Sequence, residues 1–216
     1  MAIKLFSAAG SGGVAVEAAL TLLGIPYDVV EAATWEGPEA QALVAKANPM
    51  RQVPALITES GETITESGAI LVYLADAHPA AKLAPAIGDP KRAQFLRWMF
   101  YVSSAIYAHY WAKDDPTRLG VNDVKTVERA LNERIADAWR MMGAQLTPGA
   151  YLLGDELSVL DLYVAVVSRF RPRRQRFYEA APNLRDAIKR VDADPRLAAF
   201  WPQRYPFEAG WDVMPD

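Results

Sequence analysis

Three places in the 216-residue chain carry residue types that could hold or activate a small polar ligand. The first is Val53-Pro54, at the start of a strand pattern. A proline there is either a trans residue on an edge strand or the second member of a cis bond at a tight turn. The cis form would turn the Val53 amide and carbonyl outward, to pair with an extended peptide as another strand would. The second place is Glu66-Ser67, where a strand pattern gives way to a helical one. Ser67 has the chemistry of an N-cap, and a helix start attracts a carboxylate through its amides and dipole. Glu66 can accept hydrogen bonds from an ammonium group, so the pair suits an α-amino acid zwitterion. The alternative is an ordinary cap beside a surface acid. The third place is the loop from Ala8 to Gly13, which follows Ser7 and leads into a helical pattern. Such a strand end facing a helix start is the usual ligand crevice of an open α/β sheet. The Ser11 and Ser7 hydroxyls and the amides of Gly12 and Gly13 could stabilise an anion such as a thiolate. The alternative is a turn that merely needs glycine, and the spacing matches neither a dinucleotide nor a P-loop fingerprint.

The elements that must position these groups follow from periodicity. Ile3 to Ser7 reads as a buried strand, Val14 to Leu23 as a helix closed by Gly24, and Pro26 to Val30 as a second strand. That order is a parallel crossover, right-handed in nearly all folds. Pro38 to Ala47 is a helix with proline at its tolerated first position. Val53 to Thr58 and Thr63 to Thr65 form a hairpin around Gly61, and Ser67 to Ala77 is a helix. Pro79, Pro85 and Pro90 mark a linker over 79–90, beyond which strand signals vanish. Helices are predicted over Lys91 to about Lys113, Asn122 to Leu146, Ser158 to Phe170, Pro182 to Ala193 and Pro195 to Phe200. The expected architecture is an α/β domain with a small mixed sheet (1–78), the linker, and an all-helical domain (91–216). Ser158 and Asp161 have the spacing of a capping box, with Leu157 and Leu162 as its staple; this nucleates a helix and carries no chemistry.

Composition removes several function classes. The chain is 51% hydrophobic and 23% charged, an ordinary globular balance. It has no cysteine, which excludes disulfides, Cys-ligated metal and any thiolate supplied by the protein. Two histidines exclude a His-rich metal cluster, so no metal is expected. The net charge of −3 gives no general reason to seek nucleic acid or an anionic membrane. Residues 1–80 hold three Lys/Arg against nine Asp/Glu, so the front of the chain is distinctly acidic. The uncharged run Trp98 to Ala112 is too short to span a bilayer, and Glu17 interrupts the apolar start, a poor signal peptide; the chain reads as cytoplasmic. Arg169, Arg171, Arg173, Arg174 and Arg176 read as a solvated helix end rather than a nucleic-acid site.

Taken together, Asn48 to Leu56 (Asn-Pro-Met-Arg-Gln-Val-Pro-Ala-Leu), Glu66 to Leu74 (Glu-Ser-Gly-Ala-Ile-Leu-Val-Tyr-Leu) and the Ser158 to Asp161 box resemble a cytosolic, bacterial-like glutathione transferase over nearly the whole chain. The resemblance implies a thioredoxin-like domain followed by an all-α domain, and glutathione as co-substrate. It implies that Pro54 is cis, that Val53 pairs with the cysteinyl part of glutathione, and that Glu66 and Ser67 hold its γ-glutamyl end, with Gln52 and Trp35 as further contacts. It also implies a homodimer. The family's catalytic Tyr, Ser or Cys near the first strand has no direct counterpart: Phe6 and Gly12 stand where some bacterial relatives carry Tyr and Cys. Ser11 is therefore the leading thiolate stabiliser, Ser7 the reserve, and Tyr107 a second hydroxyl from the helical domain. A small hydrophobic electrophile would sit against Met99, Tyr107, Tyr110 and Trp111, residues that can equally be core. The alternative activities are a glutathione-dependent isomerase or ether-cleaving enzyme, or a non-catalytic binding module of the same fold.

Overall fold

The computed structural model describes residues 2–208 and 210; residues 209 and 211–216, the end of the predicted helical domain, lie outside the described residues. Four strands, β1 (Ile3–Ser7), β2 (Tyr27–Glu31), β3 (Ala55–Ile57) and β4 (Thr63–Thr65), form one sheet in the order β2-β1-β3-β4. β1 runs parallel to β2 and antiparallel to β3, and β3 is antiparallel to β4. The register pairs Ser7 with Glu31, Phe6 with Ala55 and Ala55 with Thr65. The end of β1, the end of β2, the start of β3 and the end of β4 therefore meet at one edge of the sheet. The motif residues Ser7, Pro54 and Glu66 converge there.

Three helices complete this layer: α1 (Gly13–Leu23), α2 (Pro38–Val44) and α3 (Ser67–Ala77). α1 ends at Gly24 in the left-handed region (φ 65°), where a residue with a Cβ is disfavoured. Every residue from Gly13 to Leu20 is buried, because α1 lies against the sheet on one side and the helical half on the other.

The helical half comprises α4 (Arg92–Tyr101), α5 (Ala108–Asp114), α6 (Val124–Gln145), α7 (Val159–Val167), α8 (Arg174–Ala180), α9 (Arg185–Asp192) and α10 (Trp201–Arg204). All nine residues of α7 are buried, and it packs on α1, α3, α4 and α9. Its start is fixed by the capping box: the Asp161 carboxylate accepts from the Ser158 N–H (2.9 Å), the Ser158 hydroxyl (2.7 Å) and the Leu152 N–H (2.8 Å). Leu157 and Leu162 are buried in the same core. Among the described residues no helix is long and apolar enough to cross a membrane.

Three sequence expectations are corrected. The predicted helix from Lys91 is interrupted by a π-helical turn over Val102–Tyr107. The Ser104 hydroxyl donates to the Phe100 carbonyl (2.8 Å), a side-chain competitor for the backbone ladder that favours the wider spacing. The predicted Ser158–Phe170 helix stops at Val167, and α8 was not foreseen. Finally, Arg169 and Arg174 are not solvated: both are fully buried. They converge on Asp192, at 2.6 Å and 2.7 Å, and also donate to the carbonyls of Tyr205 and Ala165 (both 2.6 Å). The Arg171–Pro172 bond between them is cis. A pairing carboxylate eighteen or more residues downstream cannot be read from a local charge run.

Candidate functional site

At the convergent edge of the sheet, the Val53–Pro54 peptide is cis. The Asn48 side chain braces the approach to it, donating to the Gln52 carbonyl (2.8 Å) and accepting from the Met50 N–H (3.1 Å). Because Ala55 pairs with Thr65, Pro54 and Glu66 sit together where the ladder ends. Glu66 adopts φ 66°, ψ 111°, a conformation that costs about 1–3 kcal/mol for a residue with a Cβ and persists only where its surroundings enforce it. Its carboxylate side is exposed, while Ser67 is buried.

Ser67 is not the cap expected from its type. Glu66 occupies the cap position and Ser67 is the first helical residue. Its hydroxyl donates to the Tyr163 hydroxyl on α7 (3.0 Å). The first helical hydrogen bond runs from the Ile70 N–H to the Glu66 carbonyl, so the amides of Ser67, Gly68 and Ala69 precede the ladder and point from the helix start.

In the Ala8–Gly13 loop the amides of Ala8, Ala9, Gly10, Ser11 and Gly13 are assigned. The Ala8 and Gly13 N–H groups donate to the Ser11 hydroxyl oxygen (3.4 and 3.1 Å), Ala9 to Glu31 (2.8 Å), Gly10 to the Arg204 carbonyl (2.9 Å) and Ser11 to the Ala8 carbonyl (3.1 Å). The Gly12 backbone packs directly against the Tyr107 phenol, whose oxygen a Cβ there would strike. The expectation of an open amide is thus corrected at Gly13. What the loop presents are two hydroxyl groups: Ser11, whose oxygen accepts amide hydrogens and whose own hydrogen remains to be donated, and Tyr107, held against Gly12. Accepting one hydrogen bond polarises a hydroxyl and strengthens the next bond it donates.

Ser7 differs. It is fully buried and its hydroxyl donates to the Glu17 carboxylate (2.6 Å), so its hydrogen is committed inward. Tyr107 reaches the loop from the π turn. Burial, then the nearby Tyr163 hydroxyl, push its phenol well above the ordinary value, with the Gly12 N–H opposing; it stays protonated and a donor. A Cβ at Gly12 would collide with the Tyr107 phenol, so the tyrosine fills the space that a side chain at position 12 would need.

The aromatic surroundings depart from the sequence reading. Met99 and Tyr110 are 1% and 4% exposed and belong to the core. Trp111 is partly exposed and stacks with Arg118 (5.1 Å). Trp35 stands on the loop after β2 with 61% of its surface exposed. Tyr107 instead meets Phe170 (5.2 Å between centroids) and Tyr163 (6.2 Å), and Phe170 in turn meets Tyr110 and Tyr205. Burial pushes the Tyr205 hydroxyl up to about 12. Phe170, Tyr163 and Tyr205 were missed because they lie on no common sequence period. Among the described residues no group of three or more His, Asp or Glu could hold a metal.

Comparison with known proteins matches the model described as glutathione S-transferase, N-terminal domain, over residues 1–76 and that described as glutathione S-transferase, C-terminal domain, over residues 104–204. The chain is 28% identical over 196 residues to the uncharacterized GST-like protein YncG of Escherichia coli, covering 90% of this chain and 95% of that protein. It is 29% identical over 153 residues to maleylacetoacetate isomerase of Rattus norvegicus, covering 69% of this chain and 68% of the isomerase. The crystal structure of a glutathione transferase homolog from Sulfitobacter with bound glutathione superimposes with a TM-score of 0.83 at 26% identity, covering 94% and 98% of the two chains.

Proposed function

The chain belongs to the glutathione S-transferase family, and from that we propose that it binds glutathione at the sheet edge and activates its thiol as a thiolate for attack on a hydrophobic electrophile. The observation that carries this reading is the donor inventory of the β1–α1 loop. With the amides of Ala8, Ala9, Gly10, Ser11 and Gly13 engaged, the hydroxyl hydrogens left for an incoming anion are those of Ser11 and Tyr107.

In this reading the γ-glutamyl carboxylate lies on the α3 start at Ser67, and Glu66 receives the γ-glutamyl ammonium. The Val53 backbone beside Pro54 pairs with the cysteinyl unit, while Gln52 and Trp35 lie toward the remainder of the tripeptide. The thiol loses its proton to solvent, and Tyr107 and Ser11 donate to the resulting sulfur anion. Lowering the thiol pKa by about 2 units requires roughly 2.7 kcal/mol of preferential stabilisation. Two hydroxyl donors at about 1.5–3 kcal/mol each for bonds to a charged acceptor are sufficient. The sulfur lone pair then forms a bond to the electrophilic carbon, and that carbon's electron pair leaves with its leaving group or moves onto an adjoining electron-withdrawing group that takes a proton. The adjoining rings of Tyr107 and Phe170 support an apolar partner there. Ser7 serves as support for Glu17 and not as a donor to the ligand.

The similarity to maleylacetoacetate isomerase favours a second reading in which the thiolate adds reversibly to a conjugated double bond and is expelled after rotation, regenerating glutathione. The resemblance also supports extending the proposal to a cytoplasmic homodimer. Titrating the chain with glutathione in a calorimeter, while following thiolate absorbance against pH, tests the core of the proposal. Saturable binding with the thiol ionising below its free-solution value is expected; no binding at millimolar glutathione overturns it. Consumption of glutathione during turnover separates transfer from isomerisation.

A further inference from the structure

The β1–α1 loop is held from a distance by one residue. Arg204, at the end of α10, places its guanidinium between two carboxylates of the sheet layer: Nε donates to Glu17 (2.6 Å), and Nη2 donates to Glu17 and to Glu31 (both 2.9 Å). Each carboxylate in turn holds the loop. Glu17 accepts the Ser7 hydroxyl (2.6 Å), and Glu31 accepts the Ala9 N–H (2.8 Å). The Arg204 carbonyl accepts the Gly10 N–H (2.9 Å), at a residue whose φ of 74° favours glycine, and the adjoining Tyr205 ring lies over Gly10. Glu17 is 1% exposed, so its carboxylate is buried against this partner. Burial weighs against the charge on Arg204, but the hydrogen bonds and charge of Glu17, then of Glu31, hold its pKa above the ordinary value.

We propose that Arg204 is a positioning residue for thiol activation: it fixes Ser7, Ala9 and Gly10, and through them the place of Ser11 and of Gly12, against which the Tyr107 phenol packs. The inference rests on the thiolate reading above. Among the described residues the Arg204 side chain bonds to Glu17 and Glu31, not to the ligand cradle at Val53 and Ser67 or to Tyr107, so its removal should act on thiol ionisation more than on binding. A bidentate guanidinium can bridge two carboxylates at once, which a single ammonium group cannot do with the same geometry.

The test is the ionisation midpoint of bound glutathione, read from thiolate absorbance against pH, alongside the calorimetric Kd. Arg204→Met is expected to raise the midpoint by about one unit, a tenfold fall in the thiol's ionisation constant, with the Kd changed by less than about threefold. Glu31→Ala provides the decisive second variant, since Glu31 is half exposed and the chain should fold without it. Deleting a nearby negative charge would by itself lower the thiol midpoint; loss of the Ala9 anchor is expected to raise it, by roughly two- to fivefold in the ionisation constant. A Glu31→Ala midpoint that is unchanged or lower overturns the proposal, as does an unchanged midpoint in folded Arg204→Met. If wild-type protein binds no glutathione, or leaves its thiol at the free-solution value, the thiolate reading itself has failed instead.

Discussion

The Tyr107 phenol lies directly against Gly12 and fills the space a Cβ at position 12 would take. The two residues come from different layers, one from the loop before α1 and one from the π turn between α4 and α5. The relation makes each residue the condition for the other. Tyr107→Phe should lower kcat/KM for glutathione conjugation by roughly 10- to 100-fold, the loss of one hydrogen bond to an anion. Gly12→Ala should cost at least as much, because it displaces the phenol rather than deleting it. Steady-state kinetics with a chromogenic electrophile gives the check; a Tyr107→Phe enzyme of wild-type activity would remove the phenol from the mechanism.

The zwitterion cradle makes a separate prediction. Glu66→Gln should weaken glutathione by about tenfold through loss of the ammonium partner, an effect of 1.4 kcal/mol. Ser67→Ala should weaken it less, because the helix-start amides remain, while it releases the Tyr163 hydroxyl, which is buried and accepts from Ser67 at 3.0 Å. Calorimetry on the two variants measures both. Equal affinity in wild type and Glu66→Gln would place the γ-glutamyl end elsewhere.

Asp192 carries the burden of two buried arginines. Replacing it with Ala leaves Arg169 and Arg174, both fully buried, without their shared carboxylate. The expected cost is about 3–5 kcal/mol, or a fall in melting temperature on the order of 10 °C. Urea unfolding should show it; a loss under 1 kcal/mol would mean that the carbonyls of Tyr205 and Ala165 and the surrounding rings suffice.

Asp161 gives the pH dependence. Burial raises its carboxyl from 3.8 to about 6, against the opposing hydrogen bonds from Leu152 and Ser158. A carboxyl with a raised folded-state pKa binds its proton more tightly in the native state. It therefore contributes stability that is complete below about pH 3.8 and is lost as pH rises through about 6, by roughly 3 kcal/mol in all. Unfolding free energies of wild type and Asp161→Asn across pH 4–7 should differ in slope by this component. Parallel curves would show that the capping bonds hold the carboxylate at its ordinary value.

Much of this molecule is written in local sequence. β1, β4 and α3 have the predicted bounds, because apolar periodicity, glycine stops and helix starts are short-range signals. The capping box at Ser158 and Asp161 is legible for the same reason, as are the two patterns around Val53-Pro54 and Glu66-Ser67. Sequence spacing also brought Ser11, Ser7 and Tyr107 into view as hydroxyls. It could not say which of their hydrogens are free, since that is decided by tertiary packing: Glu17 takes the hydrogen of Ser7, and the Tyr107 phenol comes to lie against Gly12. Arg204 shows the limit most plainly, lying 187 positions from the carboxylate it holds. The basic run around Arg169 and Arg174 looked solvated because its partner, Asp192, is set beside it only when α7, α8 and α9 pack. Periodicity fixes the elements because each is stabilised by neighbours along the chain, while tertiary packing alone decides where every buried charge and donor finds its partner.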